Sequence, residues 1–304
     1  SMGVSYNSTK RTYTDAEGNA AKKIKFGPDF GIAIGGTYVT RENMNDVLGD
    51  GTVKYDEDTR TLTLTNANIT SEGVSDCIQV SENDVTIQLI GINNITSNNH
   101  AGIMFGHCTG GKIVGPGCAT IKAATVGLYA YDSDITIKEC ALFVSATNYG
   151  MCGYDAKSSE NVTIDNAFVS LTGTDFFSCG DLNSLTLNNA KFTVSGIAFY
   201  PSLHGVSTDG GSSVTKNTVS IAPSAGGYPI TVKGFVLYNF NAAAPLGDGT
   251  VSYNSATNTL TLNNANIRYE YDAIAVYDDI RIEVIGNNNI SSDNYNAINV
   301  DDVY

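Results

Sequence analysis

Aspartates that could bind a cation stand just before several of the short apolar segments in the middle of the chain. Stacked turns would bring their carboxylate oxygens close together, and hard cations, above all calcium, prefer such oxygen ligands. We therefore predict a calcium site formed by Asp84, Asp132, Asp134 and Asp155. Because aspartate is also an ordinary turn former, the alternative is an acidic edge that is simply solvated.

The same acidic turns are also compatible with an enzyme, which is the alternative function. Glycoside hydrolysis needs two carboxylates about 5 to 9 Å apart, and neighbouring turns carrying Asp132, Asp155, Asp175 or Asp181 could supply them. A pectate lyase also needs a basic residue beside its acidic calcium site, yet all five arginines lie outside the central repeats. The Asn-Thr-Asp and Gly-His-Gly signatures of polygalacturonases are absent as well. We therefore expect no catalytic residues, with a polysaccharide lyase or glycosidase as the alternative.

Tyrosines recur one residue beyond the alternating apolar pairs of several segments. A tyrosine ring has an apolar face and a polar hydroxyl, which suits a sugar or a protein partner. We predict ligand binding by Tyr131, Tyr154, Tyr200 and, near the C-terminus, Tyr277. The alternative is a satellite cluster in which these rings pack against a loop.

Six cysteines allow three disulfides in an exported protein. Cys118 and Cys140 are predicted at the same turn position of successive coils, where their Cα atoms would be about 5 Å apart and within disulfide reach. Cysteine at small inward positions also serves as an apolar filler. We expect mostly free, buried thiols. Only three histidines and no Cys-x-x-Cys pair are present, which argues against zinc.

Composition narrows the range of partners. The formal net charge is −14 and no basic stripe is present, so we expect neither nucleic acid nor an anionic membrane surface as a partner. No apolar run approaches the length of a membrane span, and we expect no membrane insertion. Cations and neutral polar surfaces such as glycans fit this charge better.

The chain repeats itself on two scales, which predicts its fold. Residues 49–55 and 61–69 return as residues 247–253 and 259–267, and between them runs a shorter period of about two dozen residues. Such units bury their apolar faces only by stacking. With three short strands in each unit, the pattern predicts an all-β chain: a single-stranded right-handed parallel β-helix with an N-terminal strand and hairpin cap. The right-handed sense follows from the usual hand of parallel crossovers.

Alternation along the first strand of each unit predicts a buried column. Side chains alternate between the two faces of a strand, so one member of each of six aligned segments should point inward. These members are Ile78, Ile103, Leu128, Met151, Phe177 and Ile197.

Four regions are predicted from this organisation: a loosely ordered lead-in at 1–30, the cap at 31–60, the β-helix at 61–228, and a partial second copy of the cap and first coils at 229–304. So short a second copy should not be stable alone. We expect it to dock on the first copy within one chain. The alternative is end-to-end self-association through this C-terminal segment.

The Val-Thr-Ile second strands, such as residues 85–87 and 162–164, and the small-residue-plus-isoleucine first strands resemble the pectate-lyase-like superfamily of right-handed parallel β-helices. Within it, the chain is most similar to non-catalytic carbohydrate-binding β-helix domains of bacterial surface proteins. The resemblance covers roughly residues 61–222. It implies an exported, cell-surface or extracellular module that binds polysaccharide or a surface glycan with calcium. The alternatives are the enzyme above and a structural adhesin or stalk repeat that contacts protein.

Overall fold

The structure, a computed structural model, describes residues 5–7, 12–14, 19, 29–73, 75–154 and 160–301. Over these residues the chain is almost entirely β, and its parallel coils stack into a β-solenoid. The predicted all-β parallel solenoid is thereby confirmed, whereas its right-handed sense stays a prediction. Most of the predicted lead-in lies outside the described residues, apart from the antiparallel pair Ser5–Asn7 and Thr12–Thr14. Within the described part of the chain, no helix is both long and apolar enough to span a bilayer.

Three sheets run along the main solenoid, and successive coils add strands to each of them. The first sheet contains the parallel strands Ile78–Val80, Ile103–Gly106, Val126–Tyr131, Tyr149–Gly153 and Phe177–Gly180. The second contains Thr61–Thr65, Thr86–Ile90, Gly111–Val114, Ile135–Lys138, Asn161–Asp165 and Ser184–Asn188. The third contains Asn68–Ser71, Ile92–Ser97, Cys118–Ala123, Ala141–Ala146 and Phe168–Gly173.

Antiparallel strands close both ends of this main solenoid. At the N-terminal end these are Asp29–Ile34, Thr37–Thr40 and Val53–Asp56. At the other end Val219–Pro223 pairs with Phe168–Gly173 and with Ala190–Phe192. Nearby, the hairpin of Ala198–Tyr200 and Gly205–Ser207 encloses the short 3-10 helix Pro201–Leu203. Closure of this kind reduces the number of bare strand edges.

The inward column exists, with two corrections. Ile78, Ile103, Leu128 and Met151 lie in register on successive strands and are fully buried, as predicted. The next member is Cys179, because Phe177 pairs with Tyr149 two residues earlier along the strand. The prediction for Ile197 is also wrong. The segment that follows it forms an antiparallel hairpin and not a further parallel coil.

The second copy of the repeated block forms a shorter solenoid with its own buried core. Its first sheet contains Phe235–Tyr238, Gly227–Val232, Ile274–Val276 and Ile298–Val300. Its second contains Val251–Asn254, Thr259–Asn263 and Arg281–Ile285. Its third pairs Asn266–Tyr269 with Asn289–Ser292.

The second solenoid packs against the outer face of the third sheet of the main solenoid. The ring of Phe235 meets that of Phe143 edge-on at 5.2 Å between centroids, and Tyr238 stacks on Phe168 at 6.2 Å. At Gly91, which has a φ of +66°, an added Cβ would come within 2.6 Å of the Leu246 carbonyl oxygen. At this point the backbones of the two solenoids are therefore in direct contact, with no side chain between them. The expected docking within one chain is observed.

Candidate functional site

The structure brings together two of the four predicted tyrosines. Tyr131 ends one strand of the first sheet, and Tyr154 directly follows the next strand. Their ring centroids are 4.4 Å apart at an interplanar angle of 82°. The side chain of Tyr154 is 54% exposed. Tyr154 therefore presents its ring to solvent, with the half-buried Tyr131 packed against it.

Two further rings extend this pair. The ring of Tyr129 lies 5.5 Å from that of Tyr131, and the imidazole of His107 lies 4.5 Å from it on the preceding coil. We call Tyr129, Tyr131, Tyr154 and His107 the aromatic face. Beneath it, Ala101, Val126 and Cys152 form a small buried cluster on the outer side of the sheet. The same side of the sheet continues to the stacked rings of Tyr149 and Phe176, at 5.5 Å.

One edge of the aromatic face carries a polar pair. The imidazole Nδ1 of His107 lies 3.2 Å from a carboxylate oxygen of Asp132, and both side chains are well exposed. Both residues adopt a left-handed backbone, with φ of 54° and 48°. The edge of the face thus offers a hydrogen-bonding imidazole and carboxylate beside the exposed rings.

A buried glutamate fixes the turn under the tyrosine pair. Glu160 has no exposed surface, and its Oε1 accepts hydrogen bonds from the backbone N–H groups of Tyr154, at 3.1 Å, and Asp132, at 3.3 Å. Its Oε2 has no hydrogen-bond partner in the part of the chain that the structure describes. The sequence offered no signal for this role beyond the position of Glu160 just before a strand. We assign it as a positioning residue, because it acts through the two turns that it joins.

Desolvation raises the pKa of three tyrosines on this side of the sheet. Desolvation, followed by the neighbouring Tyr154, raises the pKa of Tyr131, and desolvation raises that of Tyr129 strongly. Desolvation, together with Asp181, raises the pKa of Tyr149 to about 12. Tyr129, Tyr131 and Tyr149 therefore remain neutral phenols that can donate hydrogen bonds at physiological pH.

The other two predicted tyrosines lie elsewhere. Tyr200 belongs to the terminal hairpin, where its ring covers Gly211. Tyr277 lies in the second solenoid and is 41% exposed. Among the described residues, no ring contact joins either of them to Tyr131 or Tyr154. The four tyrosines thus do not form one row, because the coil pattern stops before Tyr200.

The three described members of the predicted calcium site do not form one group. Asp84 lies 3.9 Å from Arg60 and Asp132 contacts His107. Asp134 accepts hydrogen bonds from the backbone and side chain of Asn161. The strand register places Asp84 and Asp134 two coils apart, with Gly110 between them. Asp155 lies outside the described residues, and the described histidine, cysteine and acidic side chains form no group that could hold a metal ion.

All six cysteines are free and buried. Cys118 pairs with Ala141, one position away from the register predicted with Cys140. Burial raises the pKa of every one of these thiols, to about 11 for Cys77 and about 12 for Cys118. Since the thiolate is the reactive form, these residues are inert apolar fillers in the folded protein.

Searches among family models, curated proteins and solved structures found no match to this chain. The fold therefore stands on strand pairing and burial alone. Membership of the pectate-lyase-like superfamily stays a prediction.

Proposed function

We propose that this chain is an exported, non-catalytic module of a bacterial cell surface that binds polysaccharide through the aromatic face. The observation that carries the proposal is the exposed Tyr154 ring, which packs on the half-buried Tyr131 of the preceding coil. A sugar ring has a C–H face that packs on the negative face of an aromatic ring, while its hydroxyls need hydrogen-bond partners. The His107–Asp132 pair supplies such partners at the edge of the face.

The geometry also favours a binding module over an enzyme. Among the described residues, two carboxylates near the tyrosine pair have other roles: Asp132 contacts His107, and one oxygen of Glu160 accepts hydrogen bonds from backbone amides. Glu160 is fully buried and so cannot reach a polymer lying on the surface. Calcium stays a prediction that the described residues do not fit, and the proposed binding does not depend on it.

Affinity electrophoresis of the chain through gels containing polysaccharides tests the proposal. The net charge of −14 gives the protein a strong mobility, so retardation by a polymer is easily measured. We expect Tyr154→Ala to weaken binding at least about tenfold, the effect of losing a central aromatic contact. Adding a chelator should leave retardation unchanged.

Tyr38→Ala is the matched control. Tyr38 is 62% exposed on the antiparallel cap of the same sheet, so its removal alters an exposed tyrosine away from the pair. Equal weakening by Tyr38→Ala and Tyr154→Ala would argue against a specific site. A chain that no polymer retards would refute the proposed function.

A further inference from the structure

A second candidate site lies in the groove between the two solenoids. The groove has a volume of about 490 Å³ and exists only because the second solenoid docks on the third sheet of the main one. Clefts at the junction of two packed units are preferred places for ligands. None of the four tyrosines predicted from the sequence lines it.

The floor of the groove is apolar and comes from both solenoids. Ile92 extends from the main solenoid and packs into the core of the second, while Phe235 and Tyr269 come from the second solenoid. Phe235 is held edge-on against Phe143, which fixes its ring. Desolvation raises the pKa of Tyr269, so its hydroxyl stays a neutral donor.

The rim of the groove is polar and carries balanced charge. The rim contains two cations, Lys233 and Arg268, and two carboxylates, Glu270 and Asp293, together with Asn94 and Thr120. The Nε of Arg268 bonds to Asp293 at 2.7 Å. A rim of this kind offers donors and acceptors for hydroxyl groups, but it has no excess positive charge for an anion.

A line of tyrosines leads out of the groove. The Tyr269 ring lies 5.9 Å from Tyr271, and Tyr271 lies 5.4 Å from Tyr295. Tyr271 is 51% exposed and Tyr295 62% exposed. We call these three residues the tyrosine line. Successive exposed rings that start in a cleft suit an extended ligand with repeating apolar faces.

We infer that the groove and the tyrosine line form a second carbohydrate site, which takes a segment of a neutral polysaccharide. The inference deepens the proposed function and rests on its claim that the chain binds polysaccharide, not on the aromatic face. Neutral polymers are favoured because the rim charges cancel and the whole chain repels polyanions. A polymer that engages both sites gains avidity which a short oligosaccharide does not.

The test compares three variants in affinity gels containing galactomannan, xyloglucan or polygalacturonate. They are Tyr154→Ala on the aromatic face, Tyr271→Ala with Tyr295→Ala on the tyrosine line, and the Tyr38→Ala control. We expect a neutral polymer to retard the chain more than polygalacturonate does. The tyrosine-line variant should bind that polymer at least about tenfold more weakly, whereas Tyr38→Ala should bind normally. Because Tyr271 and Tyr295 are exposed, these changes should not disturb folding, which circular dichroism would check.

The outcomes separate this inference from the proposed function. Normal binding by the tyrosine-line variant, with weak binding by Tyr154→Ala, would refute the carbohydrate site in the groove and support the one on the aromatic face. The reverse pattern would keep the groove and overturn the aromatic face. Stronger retardation by polygalacturonate would overturn the neutral ligand class, and retardation by no polymer would overturn both sites.

Discussion

The two copies of the repeated block make the same local hydrogen bonds but differ in what covers them. In the main solenoid, the Asn66 side-chain oxygen accepts from the Ile92 amide at 2.9 Å; in the second, Asn264 accepts from the Asn287 amide at 3.0 Å. Asn93 likewise accepts from the Ala67 amide, as its equivalent Asn288 does from the Ala265 amide. The local conformation therefore follows from the sequence of the block itself.

The difference lies in the next coil. In the main solenoid a further coil covers Leu89 and Phe105, which have no exposed surface. Their equivalents in the second solenoid, Val284 and Val300, are each 61% exposed, because no described strand stacks on that side. Residues of the same type and register thus form a core in one copy and an open end in the other. Burial in a solenoid is decided by the neighbouring coil.

The largest expected difference between the copies is the loss of folding stability in alkaline solution, because all six cysteines lie in the main solenoid. Folding raises the pKa of each thiol above its ordinary value of 9.0, for example to about 11 for Cys77. Above pH 9 the unfolded chain releases protons that the folded chain retains, so stability falls between pH 9 and the folded pKa. The loss is about 1 kcal/mol per thiol for each pH unit.

Urea unfolding at pH 8 and pH 10 under reducing conditions, with each solenoid followed by limited proteolysis, measures this effect. The main solenoid should lose several kcal/mol by the same relation, while the cysteine-free second solenoid should lose much less. A Cys77→Ala variant should show a smaller pH dependence. Equal losses in both solenoids would contradict the comparison.

Truncation of equivalent core positions gives the next largest contrast. Leu89→Ala should destabilise the main solenoid by about 2 to 5 kcal/mol, because it leaves a cavity between covered coils. Val284→Ala should change the stability of the second solenoid by less than about 0.5 kcal/mol, as is usual for an exposed position. Hydrogen exchange read by mass spectrometry resolves the two solenoids. A large effect of Val284→Ala would show that its side chain is covered in solution.

Asn93 and its equivalent Asn288 extend the comparison of the two solenoids to a polar side chain. The buried amide of Asn93 also donates to the carbonyls of Ile90 and Cys118, so Asn93→Ala leaves several buried groups unpaired and should cost about 3 kcal/mol. Asn288→Ala removes a similar set of bonds where water can replace them, and should cost less than about 1 kcal/mol. The same exchange experiment measures both. Similar costs would mean that the two sites are equally desolvated.

The smallest predicted effect concerns self-association of the chain through the exposed last coil of the second solenoid. Within the part of the chain that the structure describes, no strand pairs with the outer edge of Arg281–Ile285, which favours the end-to-end association that the sequence left as the alternative. Val284→Lys should weaken self-association about tenfold in sedimentation experiments, because a lysine blocks edge pairing. Val194→Lys is the control, since Val194 is 59% exposed near the closed end of the main solenoid. A chain that is monomeric at all concentrations would contradict the prediction.

The repeat pattern predicted the coils well and their termination poorly. Ile78, Ile103, Leu128 and Met151 could be aligned because alternation and coil length are local properties of the sequence. Phe177 and Ile197 were misplaced because closure of the end depends on antiparallel pairing with Val219–Pro223 and on the terminal hairpin. No local pattern marks where a solenoid changes from parallel to antiparallel pairing.

The candidate sites also divide into a part that the local sequence pattern predicts and a part that depends on long-range packing. The adjacency of Tyr131 and Tyr154 could be predicted, since both occupy one register position on consecutive coils. The supporting role of Glu160 could not, because it depends on where one buried carboxylate points. The groove and the tyrosine line depend on how the two solenoids dock. The docking surface includes Phe143 and Phe168, which pack against rings of the second solenoid.

The most direct test of the central claim is a crystal structure of the chain soaked with an oligosaccharide from the polymer that retards it most. The account predicts a sugar ring packed on the exposed face of the Tyr131–Tyr154 pair, with hydroxyls within hydrogen-bond distance of His107 or Asp132. Sugar bound elsewhere on the molecule, with this pair left bare, would contradict it.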